Sequence, residues 1–98
     1  MPIFVKTEIL KKEFISNSKL KKKFIDKHIL WIKDLKKAGV NIKSGFLVNE
    51  IKEPGGGGLL IIKVKNYKIA LNIVMNDPMI KNKIVDWKLS EWIDISSE

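Results

Sequence analysis

The sequence predicts an α+β protein of ferredoxin-like type, a βαββαβ chain with a four-stranded antiparallel sheet. Three observations predict it. Apolar residues alternate at period two in four segments, they recur at helical spacing in two others, and the segments follow the order β, α, β, β, α, β. Right-handed crossovers onto an antiparallel sheet turn that order into the ferredoxin-like arrangement.

The first strand is Pro2 to Leu10, with Ile3, Val5, Thr7 and Ile9 on one face and Phe4, Lys6, Glu8 and Leu10 on the other. Residues 11–18 are polar and loop-like, and Ser18 is placed to cap a helix from Lys19 to about Ala38. At about 100° per residue, Leu20, Phe24, Ile25, Trp31, Ile32, Leu35 and Ala38 share one stripe of this helix, with lysines and aspartates opposite. Gly39 supplies a left-handed stop. Val40 to Ile51 reads as the second strand, with Ile42, Ser44 and Phe46 on one side. Gly45 lies inside it, where a glycine marks a bulge or the close approach of another backbone or a ligand.

Pro54 and the glycines after it read as the turn into a third strand, Gly58 to Lys65. That strand opens Leu59-Leu60-Ile61-Ile62, apolar on both faces, so both sides of the sheet are expected to be covered. Two helices cover one side, which leaves the other to a second copy of the chain. Asn66 caps a second helix, Tyr67 to Asn76, which Pro78 ends. After a short irregular stretch, Ile84 to Ile93 forms the last strand, with Val85, Trp87 and Leu89 pointing inward.

The chain has 98 residues, the size of one domain with one core, so residues 1–98 are read as a single unit. It contains no cysteine, which excludes disulfides, thiolate metal sites and cysteine nucleophiles. No stretch has the make-up of a signal peptide or the length of a membrane span, so a cytoplasmic location and no membrane partner are expected. The net charge of +8 invites a nucleic-acid reading, yet all 19 basic residues are lysine. Arginine, which forks onto phosphate and guanine, is absent, and a solvated lysine surface is the simpler account. RNA binding on the sheet is further disfavoured because the third strand lacks stacking aromatics. No nucleic-acid partner is expected.

Two residues break local rules. His28, the only histidine, sits in the middle of the helix's apolar stripe, where a polar ring must find a partner or pay about 1–3 kcal/mol. Asp77 stands at the C-terminal end of the second helix, facing the negative pole of its dipole. A carboxylate beside an imidazole satisfies both groups, fixes the ring's tautomer and raises its basicity, which is the orienting half of a catalytic triad. His28 and Asp77 are therefore the candidate catalytic residues, and Ser44, Gly45 and Trp31 the candidate substrate-binding ones. The Gly55 to Gly58 run leads into a strand rather than a helix and lacks the lysine of a phosphate loop, so it is read as a flexible hairpin. With one histidine and no metal-ligand spacing, neither a metal nor a cofactor is expected.

His28 within Asp26-Lys27-His28, the helix stop at Gly39, Gly45, the glycine run before Leu59, Asp77-Pro78-Met79, and the last strand with Trp87 and Trp92 together resemble the YCII-related (YciI-like) proteins. The resemblance covers nearly the whole chain. It implies a dimeric α+β barrel in which two ferredoxin-like sheets pack together, and an active site built on the His28 and Asp77 pair. It also implies chemistry on small cyclic or aromatic molecules, since one relative eliminates chloride from a chlorinated hydroxyquinol. Many relatives carry arginines near the histidine and the last strand, and this chain has none. The expected protein is a homodimeric, cofactor-independent lyase or isomerase acting on a small-molecule ligand, with His28 as general acid or base. The rival expectation is a non-catalytic binding or accessory module using the same pocket.

Overall fold

The computed structural model describes residues 1–96. Eight elements follow one another: β1 (Ile3–Leu10), α1 (Lys12–Ile15), α2 (Ser18–Lys37), β2 (Asn41–Val48), β3 (Pro54–Lys63), α3 (Tyr67–Val74), α4 (Pro78–Lys81) and β4 (Val85–Trp92). The four strands form one antiparallel sheet in the order β2-β3-β1-β4. This is the expected ferredoxin-like α+β fold, with two small helices added.

The helices cover one face of the sheet. Phe4, Leu60, Ile62, Ile42, Val85 and Leu89 point from the strands into a core closed by Ile32, Ala70, Val74, Met79 and Ile80. Burying each large side chain here contributes roughly 1.5–3 kcal/mol, so the layer of helix on sheet is the main source of stability. Ile3, Val5, Leu59 and Ile61 lie on the opposite face, only half-buried, and Ile9, Leu47 and Trp92 are exposed there.

Several boundaries differ from the sequence reading, each for a local reason. The cap of α2 is Asn17, whose side chain accepts from Leu20 N at 3.1 Å, so Ser18 is already helical. Residues 11–18 contain a helical turn, α1, instead of loop alone. The turn before β3 lies at 49–53, where the Asn49 side chain accepts from the amides of Ile51 and Glu53. The glycines that read as a turn are part of β3 itself.

Their role is steric. Gly57 has φ +87°, and a Cβ there would lie 2.4 Å from the Glu8 carbonyl oxygen. A Cβ on Gly58 would press on the Glu8 side chain at 2.9 Å. Only glycine lets β3 pass this close to β1 while leaving the Glu8 side chain in place.

The stretch after α3 is ordered as well. Asp77 accepts from Met79 N at 3.0 Å and caps α4, with Pro78 at the first turn, where proline's missing N–H costs nothing. The carboxylate therefore sits at the positive end of a short helix. The sequence reading, with Pro78 as a stop, puts it at the negative end of a longer helix; Pro78 instead starts one.

Candidate active site

The site is assembled on the helix-covered face from one row of the sheet and two helices. Ser44 on β2 lies opposite Leu60, Leu60 opposite Lys6, and Lys6 opposite Leu89. Strand alternation makes Lys6 follow Phe4 inward and Ser44 follow Ile42. α2 lays His28 over this row, and the cap of α4 brings Asp77 beneath the ring.

His28 Nδ1 lies 2.9 Å from Asp77 Oδ1, and Nε2 lies 2.7 Å from Ser44 Oγ. A carboxylate can only accept, so Nδ1 carries the hydrogen and donates to Asp77. In the neutral ring Nε2 is then the acceptor, and the Ser44 hydroxyl donates to it. The sequence thus brings together Asp77, His28 and Ser44 in that order, with Nε2 on the side of the exposed serine.

Asp77 is fully buried and meets three donors. Besides His28 and the Met79 amide, its Oδ2 accepts from Lys6 Nζ at 2.7 Å. Burial is the largest influence on this carboxyl and pushes its pKa up. The hydrogen bonds and charges of His28 and Lys6 together outweigh it, leaving Asp77 below its ordinary value of 3.8 and ionised. Lys6 is as deeply buried, and its ammonium also donates to Glu8, whose side chain is 13 % exposed. One chain of polar contacts therefore runs Glu8, Lys6, Asp77, His28, Ser44.

Lys6 and Glu8 were not among the sequence candidates, although a signal existed. Alternation places Lys6 on one face with Phe4 and Leu10, and a lysine between two core positions needs a buried anion. Of the remaining candidates, Trp31 packs beside the imidazole, with ring centroids 5.6 Å apart and planes inclined by 44°. Gly45 does not face the ring. Its missing side chain would point to the open side of the sheet, where a Cβ meets no other atom within 4 Å. Among the described residues nothing requires glycine there.

A shallow groove along β2 and β3 is lined by Lys43, Gly45, Leu47, Leu59 and Ile61, with Ser44 between them in the strand. A second lies near Thr7, Ile9 and Trp87. Neither is lined by His28. Among the described residues no three His, Asp or Glu side chains converge as a metal ion needs. No helix among them is long and apolar enough to cross a membrane.

What the arrangement can do chemically follows from the ring. Its tautomer is set by a buried anion, its position is held from both nitrogens, and the nitrogen free of the carboxylate can take or give a proton.

The chain matches no known protein-family profile, and no curated protein sequence matches it. Among solved structures it is similar to 5-chloro-2-hydroxyhydroquinone dehydrochlorinase from Burkholderia phenoliruptrix AC1100, in complex with 2,5-dihydroxybenzoquinone, with a TM-score of 0.71 and 16 % identity over 93 % of each chain. The likeness is one of fold.

Proposed function

We propose that this chain is a YCII-related protein working as a small, cofactor-independent enzyme. His28 transfers a proton to or from a small cyclic or aromatic substrate, and Asp77 orients the ring. The observation that carries this is the hydrogen bond from His28 Nδ1 to a buried, ionised Asp77, which leaves Nε2 as the basic atom beside exposed Ser44. Ser44 holds the place a substrate hydroxyl takes, and Trp31 offers a flat wall beside the ring. A neighbour of the same fold acts on a chlorinated hydroxyhydroquinone, which supports small-molecule chemistry and supplies a probe.

The proposal includes a homodimer formed through the open sheet face. Half-buried Ile3, Val5, Leu59 and Ile61 make an apolar surface that a second sheet would cover, and grooves not enclosed within one chain would be closed by the partner.

Chloride release from 5-chloro-2-hydroxyhydroquinone, and binding of 2,5-dihydroxybenzoquinone followed by thermal shift, test this reading directly. Turnover that falls roughly 100-fold or more in a folded His28→Gln protein supports it. Binding without turnover, unchanged by His28→Gln, sinks it in favour of a non-catalytic module.

A further inference from the structure

Ser44 does more than occupy the end of the chain of contacts. In the order Asp77 Oδ1, His28 Nδ1, His28 Nε2, Ser44 Oγ, the distances are 2.9 and 2.7 Å. The acid is buried and ionised, and it is held by two further donors, Lys6 at 2.7 Å and the Met79 amide at 3.0 Å. The serine is exposed. A serine hydroxyl is a weak nucleophile until a base takes its proton, and this connectivity is the one by which unrelated hydrolases activate theirs.

We propose that Ser44 is a nucleophile that accepts small acyl groups from activated esters, with His28 as its base and Asp77 as the orienting acid. The inference shares the oriented imidazole with the proposed function, but it does not need proton transfer to a cyclic substrate. The surroundings suit it. β2 is the edge strand of the sheet, so alternate backbone N–H groups along its outer side have no strand partner and can serve a developing oxyanion.

The step balances without a cofactor. As Ser44 Oγ bonds to the carbonyl carbon of an aryl ester, its proton passes to Nε2. The imidazolium then gives that proton to the leaving aryl oxygen as the carbon–oxygen bond breaks. Water repeats the sequence on the acyl-serine, with Nε2 as base, and releases a carboxylic acid and the free hydroxyl.

4-Nitrophenyl acetate is the probe, because its nitrophenol reports the first step and its acetyl group the site. The purified protein is expected to release a burst of nitrophenol and to carry one acetyl group on Ser44, located by peptide mass spectrometry. His28→Gln is expected to slow the burst roughly 100-fold or more, and Ser44→Ala to abolish it. Site mapping on the unmodified protein stands even if a variant misfolds. Acetyl groups confined to lysines, no adduct at all, or a burst indifferent to His28→Gln overturn the inference. Chloride release from the chlorinated hydroxyhydroquinone with no acetyl on Ser44 overturns it too, while leaving the proposed function in place. Acetylation of Ser44 without chloride release supports it independently.

Discussion

Lys6 and Asp77, 71 positions apart in the chain, meet in a 2.7 Å ion pair that solvent does not reach. Such a pair is a modest source of net stability, because both charges lose their water. Breaking it from one side is costly, because a charge is then left buried and unpaired. Asp77→Asn is accordingly expected to destabilise the protein by about 3–5 kcal/mol, read as a lower urea midpoint near neutral pH. A loss below about 1 kcal/mol would mean that Lys6 relaxes fully onto Glu8.

The pH dependence follows from the same carboxyl. Its folded pKa lies below the ordinary value of 3.8, so the stability it adds is fully present above that value and is lost as pH falls through the folded one. Urea midpoints measured across the acid range are expected to drop below about pH 4 in the wild type and to be flatter there in Asp77→Asn. Lys6→Met removes one of the two side chains that hold the carboxyl down, so its acid loss is expected to begin at higher pH.

The tautomer of His28 is observable directly. Nitrogen-15 spectra of the neutral ring are expected to show the hydrogen on Nδ1, since the carboxylate accepts there. In Asp77→Asn the amide can present either an oxygen or an N–H, and a mixed population is expected. A wild-type ring with its hydrogen on Nε2 would contradict the orientation assigned to this pair.

Glycines 57 and 45 make opposite predictions. Gly57→Ala forces a Cβ to within 2.4 Å of the Glu8 carbonyl from a left-handed backbone, and is expected to cost about 1–3 kcal/mol in thermal unfolding. Gly45→Ala meets nothing in its own chain and is expected to leave the monomer's fold unchanged. A changed sedimentation profile for Gly45→Leu would show that a second copy lies over this position.

The dimer itself is tested at Val5, which is half-buried at the middle of the open face. Val5→Lys is expected to convert a dimer to a folded monomer in analytical ultracentrifugation. An unchanged sedimentation coefficient would place any interface elsewhere.

Much of the fold was legible because period-two and helical spacing report directly on which face is buried, as in β4 and α2. His28 was legible as an exception to helical spacing and Asp77 through a dipole argument that the structure reverses, and the two are in contact. The glycine run was not legible, since its cause is Glu8, a residue half the chain away that no local pattern connects to it. Asp77's true position was obscured because proline both ends helices and starts them, and only the Met79 amide distinguishes the two. Lys6 was visible on the inner face, but its two anionic partners come from the strand itself and from the far end of the chain.

The buried lysine also acts on the assembly of the sheet. A strand repeats every two residues, so sliding β1 by one position against its neighbours would turn Lys6 outward and set Val5 beneath Asp77. Hydrophobic contacts alone penalise that slip weakly here, because Ile3, Val5 and Ile9 could serve as an inner face almost as well as Phe4 and Leu10. The ion pair removes the ambiguity, since the misaligned sheet would strand an aspartate in the core with no cation. Lys6 is thus a registration mark, and the same charge that readies the imidazole tells the first strand which way round to lie.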